Sequence, residues 1–200
     1  VSKYHPSSRS NLLRSVRNEI AERTKSSLAG AAAKSALEFT SDFERSLAEI
    51  NTILGDGGVS IQQYEKQLLD LSTQSSKTLD DLSKGLYQTI SAGIPAVEGA
   101  SGAFSVLEAS QRAAVAGLTT TEAAVDGTVS VLNAYGRDTI FATDVTDKLF
   151  TTVKLGRVTF DQLAKGIGRV APIAASAGVA LDDVLAVFVQ LTRQGINPAE

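Results

Sequence analysis

The chain has no cysteine, no methionine and no tryptophan, and only one histidine and four prolines in 200 residues. Without cysteine it has neither a disulfide framework nor a thiolate metal site. The single histidine, His5, sits beside Pro6 in a segment without periodicity and reads as a surface residue. A lone imidazole there leaves little to activate a hydroxyl, and the plentiful serines show no nucleophile-elbow pattern. No apolar run approaches the roughly 18 to 20 residues that span a bilayer. The nearest, Val170 to Leu181, is short and interrupted by Pro172 and Gly178. The basic residues near the start have no compact apolar stretch behind them, so no signal-peptide pattern appears. Nor does any stretch alternate with a period of two for long enough to make a strand.

What is present suits a soluble helical protein. Apolar residues make up 43% and charged residues 20%, enough to bury a real core at this length. The net charge of −3 conceals an asymmetry: residues 1 to 37 carry seven Lys and Arg against Glu19 and Glu22, a net of +5 that leaves −8 for the rest. A basic arm on an acidic body can meet nucleic acid or anionic lipid, whereas the simpler reading is a helix whose charges face water. Within the arm Leu12, Leu13, Val16 and Ile20 make a thin stripe. From Phe39 the pattern sharpens, with Phe39, Phe43, Leu47, Ile50 and Leu54 at helical steps. This divides the chain into a basic N-terminal helical arm, 1–37, and a core domain, 38–200. Asn197, Pro198 and Glu200 read as N-cap, first-turn proline and N3 glutamate, so a helix is expected to start there and the sequence to be part of a longer chain.

Glycine punctuates the body. Helices are expected to stop at Gly55, Gly93, Gly117, Gly136, Gly156, Gly178 and Gly195, where a residue without Cβ reaches the left-handed conformation and an apolar neighbour folds back onto the last turn. Restarts carry caps: a box from Ser60 to Gln63, Thr78 with Asp81, a box from Thr119 to Glu122, and a box from Thr159 to Gln162. Ala180 offers no capping hydroxyl, which leaves Asp182 and Asp183 to meet the helix dipole.

Between these signals the buried stripes are Ile61, Tyr64, Leu68 and Leu71; Leu79, Leu82, Leu86 and Ile90; Val97, Ala100, Phe104, Leu107 and Ala114; and Val125, Val129 and Leu132. Those that come after are Val145, Leu149 and Val153; Phe160, Leu163, Ile167, Val170 and Ala174; and Leu181, Val184, Leu185, Phe188 and Leu191. Arg137 to Phe141 receive no assignment. Pro172 should kink or break its helix, since it removes a hydrogen bond and collides with the Gly168 carbonyl. The expected fold is all-α: short helices joined by Gly turns and packed as helical hairpins. The restarts are spaced too irregularly for a solenoid of one fixed repeat.

Three features invite a chemical reading. Gly166-Ile167-Gly168-Arg169-Val170-Ala171 has the form of a dinucleotide fingerprint, but that motif works between a strand and a helix, and here it lies inside a helical pattern. Close helix packing explains the glycines better. Asp80-Asp81 and Asp182-Asp183 resemble acid/base or metal pairs, yet each falls in a first turn, where carboxylates cap free N–H groups. Arg169 falls between Ile167 and Val170, either satisfying carbonyls freed by Pro172 or reaching out to water. No catalytic, cofactor-binding or metal-ligating set emerges.

Five stretches taken in order resemble the core domain of phage tail tape measure proteins. They are Gly85 to Gly93 (GLYQTISAG), Ala116 to Thr119 (AGLT), Val131 to Gly136 (VLNAYG), Thr152 to Gly156 (TVKLG) and Gly168 to Pro172 (GRVAP). The likeness runs from about Phe39 to the end. It implies a non-enzymatic structural virion protein of a long-tailed phage or prophage, which sets tail tube length during assembly and leaves ahead of the DNA at infection. It also implies several copies per tail, contacts with tail tube, assembly chaperone and tail-tip or baseplate proteins, and a location in the tube lumen or tip after assembly in the host cytoplasm. No cofactor, no specific nucleic acid and no membrane span in this segment are expected. The alternative from another class is a secreted helical toxin or membrane-perturbing protein acting through the basic amphipathic arm.

Overall fold

Thr78, Thr120 and Thr159 each accept a hydrogen bond from the backbone N–H three residues on, and each opens a helix. Such a cap satisfies one of the donors a helix leaves free at its start. In this computed structural model the described residues are 41–54, 59–100, 102–136 and 141–198. They form eight helices and no strand, so the fold is all-α. A helix is described over 41–53 (α1). After it come α2 (Ile61–Gln74), α3 (Leu79–Ser91), α4 (Ala103–Ala116), α5 (Thr121–Tyr135), α6 (Ala142–Leu155), α7 (Phe160–Ser176) and α8 (Leu181–Arg193). By packing, the chain divides between Arg45 and Ser46, and helices α2 to α8 belong to the second unit. The basic arm, Phe39, Gly55 and Arg137 to Ile140 lie outside the described residues.

Consecutive helices from α2 to α8 pack on one another, and so do helices two apart: α3 on α5, α5 on α7, α4 on α6, α6 on α8. This is the contact set of helical hairpins stacked side by side, odd helices in one layer and even helices in the other. Side-chain hydrogen bonds keep the same register: Lys77 to Thr119, Gln88 to Asp126, Thr119 to Asp161 and Arg193 to Leu155 span 42, 38, 42 and 38 residues. The expectation that the chain is too irregular for a repeat is therefore corrected. The unit is two helices long, and its caps at Thr78, Thr120 and Thr159 recur at nearly equal intervals. Single-helix steps hide that spacing.

The core runs along the seam of the two layers through Leu82, Leu86, Leu107, Val125, Leu149, Leu163 and Ile167, each 0% exposed. The α5–α7 interface is the most extensive, because small residues meet there. A Cβ on Gly127 would lie 3.1 Å from the Ala164 Cβ, and one on Gly168 would lie 3.3 Å from the Ser130 Oγ.

Several local expectations change. The α4 helix begins at Ala103, not near Val97; Val97 is exposed, and Gly102 is held against the Val97 carbonyl so closely that no side chain fits. Helix α7 runs unbroken through Pro172, with the proline on its exposed side. Its buried line follows Ala171, about three full turns past Phe160, and leaves Val170 at 39% exposure. Leu191 likewise gives way to Thr192, which is 1% exposed.

Candidate functional surface

Turns at one end of the stack, where even helices hand over to odd ones, carry most of the polar side chains that sequence patterning singles out. Thr159 and Gln162 form a reciprocal capping box, each side chain bonding the other's backbone, at 3.3 and 3.0 Å. Ser60 accepts from the Gln63 N–H at 3.3 Å, but the Gln63 amide is turned to Glu98, so that box is half made. Thr78 accepts from the Asp81 N–H at 3.2 Å. Thr119 is not the cap expected of it. Its hydroxyl donates to Asp161, and Thr120 caps α5 instead.

The glycines divide into two kinds. Gly93, Gly136, Gly178 and Gly195 have positive φ, between 74° and 91°. Gly93, Gly178 and Gly195 close Schellman turns: at Gly178, Val179 N–H donates to the Ala174 carbonyl and Gly178 N–H to that of Ala175. Gly117 and Gly156 do not reach the left-handed region, with φ of −86° and −88°. They are required for close approach instead: a Cβ on Gly117 would meet the Phe160 ring at 3.1 Å, and one on Gly156 the Thr192 Oγ1 at 2.7 Å.

Asp80 pairs with Lys84 at 2.8 Å on an exposed surface. Asp81 reaches across to the next hairpin, accepting from both the N–H and the hydroxyl of Thr121. It therefore caps α5 from outside α5. Gly166 and Gly168 lie in mid-helix, facing Phe188 with Pro198 and Ser130 respectively. Arg169 is exposed on the same helix.

Two grooves open between successive odd helices. One, of about 470 Å³, is lined by Glu49, Ser83, Lys84, Tyr87, Gln88 and Glu122. The other, of about 520 Å³, is lined by Glu122, Asp126, Ser130, Asp161, Lys165 and Gly168. In the second, burial and the Glu122 carboxylate push the Asp126 carboxyl above its ordinary pKa, opposed by the Gln88 amide. Among the described residues no group of three or more His, Cys, Asp and Glu could hold a metal ion, and no helix is long and apolar enough to cross a membrane.

What sequence reasoning missed is the joint between hairpins. Gly85, Gly127 and Gly166 each stand seven residues after the Thr that caps their helix, and each is buried against another element. A Cβ on Gly85 would touch Thr121 and Leu107, and one on Gly166 would touch Pro198 and Phe188. Aligning the helices on their caps would have revealed this.

A family model described as phage-related minor tail protein matches residues 65–200. Among curated proteins, the chain is similar to a probable tape measure protein of Clostridium phage phiCD119, 26% identical over 155 residues, which are 78% of this chain and 16% of that protein. The chain thus spans about one sixth of the length of that relative. No solved structure matches.

Proposed function

The chain belongs to the phage-related minor tail protein family, which gives it a structural role in the virion tail, and from that premise we propose that it is a folded segment of a tape measure protein. Several copies would lie in the tail tube lumen or at its tip, set tube length during assembly with tube, chaperone and tip proteins, and leave ahead of the DNA. The likeness to the Clostridium phage protein supports the name. The observation that carries the mechanical reading is the stack of hairpins.

A ruler needs a large, constant rise. Forty residues of continuous helix measure about 60 Å, whereas a hairpin stacked on its neighbour at helix-packing distance adds only about 10 Å. The hairpin array therefore serves as a compact module outside the graduated part, with residues 38–200 as its domain and 1–37 as the arm that leads to it. Because the main packing among the described helices α2 to α8 is between helices one and two places apart, the array opens one unit at a time, with no sheet to unthread. That suits a protein that must pass through a narrow tube.

In-frame deletion of one hairpin, residues 120–158, tests this by electron microscopy of tails. The reading expects tail length to change by no more than about 10 Å, one helix-packing distance. Shortening by about 60 Å, the rise of the same segment as continuous helix, would place these residues in the graduated part and overturn it. The membrane-perturbing alternative rests on residues 1–37, which lie outside the described residues, and nothing described favours it.

A further inference from the structure

Equivalent positions in successive hairpins differ in exposure in one direction. Four residues after the joint glycine, eleven after the cap, α3 carries Thr89 and α5 carries Val131, both 0% exposed, while α7 carries Val170 at 39%. In the even layer, seven residues after the N-cap, Ala109 of α4 is 1% exposed, Lys148 of α6 is half-buried and Val187 of α8 is 56% exposed. Eleven after it, Ala113 is 6%, Thr152 of α6 is 4% and Leu191 is 36%. Positions covered by the following hairpin in the interior of the stack are thus bare on the last one, and there they are Val and Leu. On the same last hairpin and the segment after it, Ile173 is 71% and Ile196 50% exposed.

The occupant is indicated by the chain after α8. Thr121, the first residue after the Thr120 cap, lies over Gly85, where a Cβ would be 2.7 Å from its Cγ2. Pro198, the first residue after Asn197, lies over Gly166 as Thr121 lies over Gly85, with its carbonyl oxygen 2.7 Å and its Cβ 3.0 Å from where the Gly166 Cβ would be, while at the joint between them Gly127 is met by Ala164 of the next odd helix. The interval from Thr159 to Asn197 nearly matches those from Thr78 to Thr120 and from Thr120 to Thr159, and Asn followed by Pro is a helix-opening pair. The similarity covers only 16% of the phage relative.

We infer that the exposed face of α7 and α8 is a stacking surface for a further helical hairpin of the same chain, opening at Asn197 and packing over Val170, Val187 and Leu191. It rests on the repeat and holds whether or not the array lies outside the graduated part of a tape measure.

The test compares residues 1–200 with the native chain extended by the length of one more hairpin, using hydrogen exchange and urea unfolding. The amides of α7 and α8 should exchange at least tenfold more slowly in the extended chain. Leu191→Asp and Val187→Asp should lower its unfolding midpoint by more than they lower that of 1–200, where Val187 is 56% and Leu191 36% exposed; Gln190→Asp serves as the surface control. Equal exchange in the two chains, or aspartate variants without effect on the extended one, would overturn the inference. So would dimerisation of the extended chain that Leu191→Asp abolishes, which would assign the face to a second copy.

Discussion

Leu118 stands at φ 51°, in the left-handed region, while Gly117 beside it sits at −86°. The two have exchanged the usual roles. The turn that ends α4 has the Schellman bonds, Leu118 N–H to the Val115 carbonyl and Thr119 N–H to that of Ala114, and these put the left-handed residue one place after the glycine. Gly117 cannot move, because the Phe160 ring occupies the space a side chain would need. Leu118, 95% exposed, therefore carries a strain of about 1 kcal/mol with no packing in return. Leu118→Gly should raise stability by about 0.5 to 1 kcal/mol in urea unfolding. Tyr64 is a second residue out of balance: it is 0% exposed and its hydroxyl has no partner, so burial pushes its pKa up to about 12 from the usual 10. A neutral form favoured by folding contributes stability fully below about pH 10, and that contribution is lost as pH rises toward 12. Tyr64→Phe should flatten this alkaline loss and add up to about 1 kcal/mol at pH 8. Unfolding at pH 8 and pH 11 checks both, Tyr135 leaving a residual slope because burial and the Asp183 carboxylate raise it too.

Among the helices, α7 shows how an element survives a residue that ought to end it. Its stripe of Phe160, Leu163, Ala164, Ile167, Ala171 and Ala174 is buried on both sides of Pro172, and its start is held by the capping box and by the Asp161 bond to Thr119. Tertiary burial outweighs the lost hydrogen bond, for which interior proline costs about 3 kcal/mol. Pro172 is on the exposed side, so Pro172→Ala removes no core contact. It should stabilise the chain by about 1 to 2 kcal/mol, part of the cost having been relieved by local bending, and thermal unfolding would show it. The Asp81 link to Thr121 acts between helices rather than within one. A carboxylate in the first turn of α3 caps the first turn of α5, so helix ends are satisfied between hairpins as well as inside them.

Across the full stack, stability becomes a property of neighbours. Helix α5 packs against α3, α4, α6 and α7, whereas α8 packs against α6 and α7. Opening α8 therefore exposes less apolar surface than opening α5, and stability should grade along the array. Native-state hydrogen exchange should show the slowest amides in Thr121–Tyr135 and faster exchange toward α8 and α2, in steps that follow hairpins. Uniform protection across all helices would mean that the chain opens as a single cooperative block.

Local chemistry alone was enough for the all-α class, the capping box at Thr159, the stop at Gly178, the stripe of α3 and that of α2 from Tyr64 on, Ile61 being half-buried, because caps, left-handed turns and helical periodicity act within a few residues. Packing settled the matters in which a neighbour far along the chain competes for the same group. Asp161 took the Thr119 hydroxyl and moved the cap to Thr120. The Phe160 ring held Gly117 and moved the strained position to Leu118, and Ala164 against Gly127 set how closely the hairpins stack. Those outcomes depend on which surfaces meet, and a periodicity read along one helix contains no information about the helix that will lie across it.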